Sequence, residues 1–190
     1  MNDKYIEEQD FEGVDFYGTP LAMGHYEVCS FLSCNFAHSD LSGIHFTECT
    51  FRDCDLSMAN IMETSFKSVT FKDCKMLGLQ FEECNDFLFA VGFDHCLLNI
   101  SNFCKINLKG TRFKKCSLQE VDFTETDLSG AFLDECDLSG AIFDHTNLEK
   151  ADLRTATHYT IHPENNRIRK AKFSVSGLPG LLGSFDIEIE

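Results

Sequence analysis

Ten cysteines and seven histidines are the side chains here best suited to chemistry, as zinc ligands, redox pairs or nucleophiles. Their spacing argues against all three. No CxxC pair occurs, and eight of the thiols (Cys29, Cys34, Cys49, Cys54, Cys74, Cys96, Cys116, Cys136) fall at intervals of five or a multiple of five within each half of the chain. The histidines (25, 38, 45, 95, 145, 158, 162) scatter, with no pair at metal-ligand spacing beside a supporting carboxylate. Ser and Asp are abundant but recur with the same rhythm, and neither GxGxxG nor GxxxxGK[ST] is present. The sequence therefore predicts no catalytic residue, no metal and no cofactor. The acidic N-terminal stretch MNDKYIEEQD has no apolar run, and no stretch approaches 18 consecutive apolar residues. These features predict a cytoplasmic protein with free thiols and no membrane contact.

The element that spaces the cysteines is a block of five. From Thr111 to Thr155 the chain reads TRFKK, CSLQE, VDFTE, TDLSG, AFLDE, CDLSG, AIFDH, TNLEK, ADLRT. The third residue of every block is Phe or Leu and the first is small or β-branched. Counted by these central residues, one register runs from Phe11 to Phe81 and a second from Phe93 to Leu153, 28 blocks in all. Fourteen of the 19 Phe are centres, which assigns the aromatic residues to the core. First and third residues face in and the second faces out, as on a strand. The fourth and fifth are polar and must turn a corner. Gly13, Gly18, Gly43, Gly78, Gly110, Gly130 and Gly140 stand at the fifth position, where a positive φ costs glycine least. Asp or Asn at the second position is placed to bond local backbone beside the corner.

Like residues repeat every 20: Phe11, Phe31, Phe51 and Phe71; Phe103, Phe123 and Phe143; Cys34, Cys54 and Cys74. Four blocks therefore close one coil. The predicted fold is an all-β, four-sided solenoid of about seven coils, a rod roughly 34 Å long at strand spacing. It spans residues 1–155, with a register break at 82–92. There Phe87, Phe89, Val91 and Phe93 alternate as one inward-facing extended side, and Phe87 with Leu88 is a candidate partner contact. Residues 156–190 form a predicted cap, with strand signals at Ala171–Val175 and at Phe185–Ile189 and a helical turn from Ser176, its N-cap, to Gly183. Leu178, Leu181, Leu182, Phe185, Ile187 and Ile189 offer more apolar surface than a cap needs, which predicts a homodimer through the tail.

Charge is the remaining signal. With 31 acidic and 16 basic residues, the net charge of −15 excludes nucleic acid as a partner and favours a basic protein surface. Residues 1–64 carry −10, residues 65–116 carry +3 and residues 117–190 carry −8. Glu120, Asp122, Glu125, Asp127, Asp134, Glu135, Asp137 and Asp144 stand at outward positions and are the candidate partner-binding acids. Two rods joined at their tails would measure roughly 70 Å, about two turns of B-DNA, so such a rod fits a duplex-binding saddle.

The A-(D/N)-L-x-x blocks over residues 11–155 resemble the pentapeptide-repeat proteins, a likeness that implies a right-handed quadrilateral β-helix with a helix-plus-strand tail. GLQFEEC (78–84) is similar to the middle of Qnr proteins, and IHPENNRI (161–168) to the tail of microcin immunity proteins. The resemblance to the Qnr/MfpA-type members implies a duplex mimic that binds DNA gyrase or topoisomerase IV and inhibits the enzyme or protects it from quinolones or peptide toxins. The alternative is a scaffold with an unrelated partner, as for other members of the family. The longer protruding loops of the protective Qnr members are absent.

Overall fold

In a computed structural model that describes residues 4–185, 187 and 188, the blocks of five wind into a parallel β-solenoid of about eight turns. Second-position residues form four columns, one per face. Face 1 runs Tyr5, His25, His45, Ser65, Asn85 and resumes at Asn107, Asp127, Asn147, Arg167. Face 2 carries a nine-stranded sheet from Asp10–Glu12 to Lys172–Phe173, with Ser30, Thr50, Thr70, Gly92, Arg112, Phe132 and Asp152 between. Face 3 runs Asp15, Asn35, Asp55, Lys75, Leu97, Ser117, Asp137, Thr157. Face 4 contains Asp40, Asn60, Gln80, Asn102, Asp122 and Ile142.

The core is a set of ladders in which each ring lies on the ring one coil away. Phe31, Phe51 and Phe71 stack at 4.6 and 5.0 Å. Phe81, Phe103, Phe123 and Phe143 stack at 4.4, 5.6 and 5.4 Å. Adjacent ladders meet edge to face, as between Phe46 and Phe51 at 5.3 Å, the arrangement the ring quadrupole favours. First-position residues fill the corners of the square. Three of the polar ones are satisfied by the neighbouring coil: the Thr64, Thr126 and Thr146 hydroxyls donate to Leu41, Phe103 and Phe123 carbonyls at 2.7–2.8 Å.

Two devices turn each corner. The fifth residue adopts a left-handed conformation, at Gly13, Gly43, Gly78, Gly110, Gly130 and Gly140 as expected, but also at 21 non-glycine residues such as Glu63, Leu88 and Lys150. Gly18 does not take a positive φ, and neither do Met23, Glu83 and Thr155 at the same position. The second-position Asp or Asn accepts from the N–H two residues on, as Tyr17 to Asp15 (3.2 Å), Thr124 to Asp122 (2.8 Å) and Ser129 to Asp127 (2.9 Å). This local turn holds the chain in the corner and offsets part of the backbone strain.

The register break differs from the sequence expectation. The first register runs one block further, Cys84 to Leu88, with Asn85 in its column, Phe87 N–H on Asn85 Oδ1 (3.0 Å) and Leu88 at φ 59°. The centre of that block is Asp86, an exposed charge that cannot enter an apolar core. Phe89, the first of two inserted residues, fills the vacated space and meets the Phe66 and Phe81 rings at 6.3 and 6.2 Å. Phe87 therefore does not face inward: it is 66% exposed, beside Leu88 at 64%.

The rod fills its expected N-terminal span and extends past its expected C-terminal end. Lys4–Glu7 pairs with Gly24–Glu27, and Asn147 with Arg167, so the boundary expected at residue 155 is not an end of the coil. The last turn is irregular. His158 stands exposed at a centre position, Tyr159 is buried in its stead, and Asn166 occupies a core corner by bonding Thr146 N–H and the Phe143 carbonyl. The cap follows as two short turns, Val175–Gly177 and Pro179–Leu182, with Leu181 buried on the core and Gly180 accepting from Ile161 N–H. The first turn has its N-cap at Ser174, whose hydroxyl accepts from Gly177 N–H, and the second starts at Leu178 with no side-chain cap, so Ser176 caps neither. Phe185 ends a 3-10 turn, Gly183–Phe185, so it starts no strand. Ile189 lies outside the described residues.

Candidate interaction surface

The eight acids expected to bind a partner do not form one surface. Glu120 and Asp137 belong to face 3, Asp127 to face 1, Asp134 and Glu135 to face 2, and only Asp122, Glu125 and Asp144 to face 4. Several also have structural duties. Asp137 accepts from Ser139 N–H, Gln119 Nε2 and His158 Nδ1, and Asp134 accepts from the Thr155 hydroxyl. Burial acts upward on the Asp137 carboxyl, but the hydrogen bonds from Gln119, Ser139 and His158 hold it well below the usual carboxylate range. Sorting charge by sequence segment hides this arrangement, because a segment of 20 residues visits all four faces.

Sorting by face shows where the net charge resides. Counting each face with the corner that follows it, face 4 carries Asp40, Glu63, Glu82, Glu83, Asp122, Glu125, Asp144 and Glu164 against the single base Lys105, which leaves it at −7. Face 3 carries four acids and Lys75. Faces 1 and 2 hold 14 of the 16 basic residues and are nearly neutral. About half of the charge of −15 thus lies on one side. Glu63, Glu82, Glu83, Glu125 and Glu164 there are exposed, and Lys105 lies only loosely against Glu125, at 3.9 Å. Glu63, Glu82 and Glu83 lie before the register break or at its start, and an outward column counted modulo 20 was the signal for them.

The thiols do not form a site. Cys34, Cys54, Cys74, Cys96, Cys116 and Cys136 occupy one core corner in successive coils, and nine of the ten cysteines are buried. Cys54 Sγ donates to the Phe31 carbonyl (3.3 Å) and Cys74 Sγ to the Lys72 carbonyl (3.3 Å). The Cys49 thiol is pushed up to about 12, chiefly by burial, far from the thiolate that redox or metal chemistry uses. No group of three or more His, Cys, Asp or Glu among the described residues is arranged to hold a metal ion. No helix among them is long and apolar enough to cross a membrane. Of the expected dimer residues, Leu178, Phe185 and Ile187 are exposed, Leu182 is half-buried and Leu181 is committed to the core.

A four-sided parallel solenoid built from stacked five-residue blocks defines a class, and the sequence match supports the same assignment. The model of the pentapeptide repeat region matches residues 19–85 and 44–123, and that of the pentapeptide repeats matches eight copies over 116–154. The chain belongs to the pentapeptide-repeat family. A sequence search of curated proteins gives no match. Among solved structures the chain is similar to a trypsin-treated variant of QnrB1, a plasmid-mediated fluoroquinolone resistance protein. The two share 20% identity over 98% of this chain and 92% of that one, with a TM-score of 0.60. Full-length QnrB1 gives 19% identity over 97% and 100%, with a TM-score of 0.50. HetL of the cyanobacterium Nostoc, involved in heterocyst differentiation regulation, gives 17% over 90% and 88%, with a TM-score of 0.36. At these identities the likeness to QnrB1 establishes the fold alone.

Proposed function

We propose that this rod is a non-enzymatic, cytoplasmic binding protein that presents face 4 to the basic, duplex-binding surface of a type II topoisomerase, DNA gyrase or topoisomerase IV. There it inhibits the enzyme or protects it from quinolones or peptide toxins. The same reading has two rods joined at their tails through Leu178, Phe185 and Ile187. Family membership and the fold shared with QnrB1 support it.

The observation that carries the reading is the density of charge on face 4. From Asp40 to Glu164 its eight acids span about six coils, or about 29 Å, which is one carboxylate per about 4 Å. One strand of B-DNA presents a phosphate per about 3.4 Å. A basic saddle meeting face 4 releases counterions much as it does on a duplex, and the rigid column needs no ordering on contact.

Supercoiling by purified gyrase, with and without ciprofloxacin, is the test. The wild type is expected to inhibit or protect at micromolar concentration. The face 4 variant Glu82→Lys/Glu83→Lys/Glu125→Lys should lose the effect at least about tenfold. Asp53→Lys/Asp73→Lys/Glu135→Lys on face 2, with the same change in net charge, should keep it. An inert wild type, or equal loss in the two variants, refutes the assignment to face 4.

A further inference from the structure

The corner between faces 1 and 2 is self-complementary. Its fourth and fifth positions, one pair per coil, read Glu7–Glu8, Glu27–Val28, Thr47–Glu48, Lys67–Ser68, Phe87–Leu88, Lys109–Gly110, Ser129–Gly130, Glu149–Lys150 and Arg169–Lys170. Acids occupy one end and bases the other. The middle pair of the nine is apolar and lies in the open, Phe87 at 66% and Leu88 at 64% exposure. Exposed apolar neighbours at the midpoint of a charged edge are unusual on a rod whose other fourth and fifth positions are mostly polar.

We propose that a second copy of this chain docks here, antiparallel and side by side, about a two-fold axis through Phe87 and Leu88. An isologous contact requires that the surface complement itself when reversed, and this one does. Reversal sets Glu7–Glu8 against Arg169–Lys170 of the second copy, Glu27 against Lys150, and Phe87–Leu88 against itself. Lys150, Arg169 and Lys170 form no ion pair among the described residues, and Glu149 is already held by Arg167 at 3.0 Å. Lys67 and Lys109 fall opposite one another. Lys67 lies over the Phe87 ring at 5.2 Å, and Asp86, the exposed acid of the central coil, is one coil from both. Pairing along this corner leaves faces 3 and 4 outward on both rods, so it goes beyond the proposed topoisomerase contact and is independent of it. It also shares no residue with the tail.

The decisive protein is the full chain with the tail contact disabled, Leu178→Asp/Phe185→Asp, studied by light scattering and by bismaleimide cross-linking. It is expected to remain a dimer at micromolar concentration and to dissociate about tenfold more readily in high salt, as screened charges require. Adding Leu88→Asp should weaken the dimer roughly a hundredfold, because each substitution is felt twice. Melting curves confirm that this exposed change leaves the fold intact. A Glu8→Cys/Lys170→Cys version should cross-link between copies, since within one rod the two positions lie eight coils, about 38 Å, apart. Glu7→Lys/Glu8→Lys should abolish the dimer, and adding Arg169→Glu/Lys170→Glu should restore it. A tail variant that is monomeric at low salt, or a dimer indifferent to Leu88→Asp, overturns the proposal.

Discussion

Phe71 and Phe93 stack face to face at 5.5 Å with their planes 11° apart, although 22 residues separate them where every earlier step of the same ladder takes 20. The two extra residues are therefore absorbed entirely on the side of the coil between Asn85 and Val91, and the ladders above and below keep their registers.

Phe87 and Phe89 should consequently differ in their effect on stability. Phe89→Ala opens a cavity beside Phe66 and Phe81 and is expected to cost about 2 kcal/mol, less than a fully buried Phe because Phe89 is half-buried. Phe87→Ala should change stability by less than about 0.5 kcal/mol. Thermal melting of the two variants side by side checks this, and an equal loss in both would contradict the described break.

Within a ladder the cost should be larger. Phe51 is fully buried between Phe31 and Phe71, so Phe51→Ala is expected to destabilise by about 3–5 kcal/mol and Phe51→Asp to prevent folding at room temperature. Circular dichroism of the purified variants gives the answer.

Acid should loosen the C-terminal turns. Arg154 hydrogen-bonds Asp152 through two nitrogens, at 2.9 and 2.8 Å, and with Lys172 at 3.6 Å holds its carboxyl down at about 2. An ordinary aspartate titrates near about 3.9. Below that value the unfolded chain takes up protons that the folded one does not, so this contribution is complete above about pH 4 and is lost as pH falls toward 2. The melting temperature should fall over that window, and Asp152→Asn should show a lower value at neutral pH with a shallower acid slope.

Thiol reactivity should separate one cysteine from nine. Cys104 is half-buried and the others are buried, several with thiols pushed up to about 12. At mildly alkaline pH a disulfide reagent is expected to titrate about one thiol in the native protein and all ten in denaturant. Rapid native reaction of several thiols would mean that the coil corners open.

A chain ending at Thr155 should aggregate instead of yielding a clean monomer. The rod continues to Phe173, and such a truncation removes Tyr159, Ile161 and the Leu181 lid, exposing the core at Leu148 and Leu153. Size-exclusion chromatography of that truncation distinguishes the two outcomes.

The ladders were legible in the sequence because every inward position repeats the same chemistry at a fixed interval. The break and the C-terminal end were not, for a common physical reason. At Asp86 and His158 a charged or polar residue stands where the pattern wants a large apolar one, and the chain responds by sending a neighbour, Phe89 or Tyr159, into the space. Alternation alone placed Phe87 inward, whereas the Asn85 turn directs it out. Ala156, Ile161, Asn166 and Ala171 did keep the interval of five, a signal that the rod went on past residue 155. The acidic face was spread over the whole chain and became visible only when residues were sorted by coil position.

The left-handed corners have a consequence for how the molecule assembles in time. Each of the 21 non-glycine residues held there opposes its own backbone preference by about 1 kcal/mol, so a solitary coil is uphill and gains only when another lands on it. Growth from a rare interior pair, followed by rapid addition at both rims, is the route this implies. Half-built rods with sticky unpaired rims are then scarce in the cell, and the sequence achieves this through residues that look, one at a time, like poor choices.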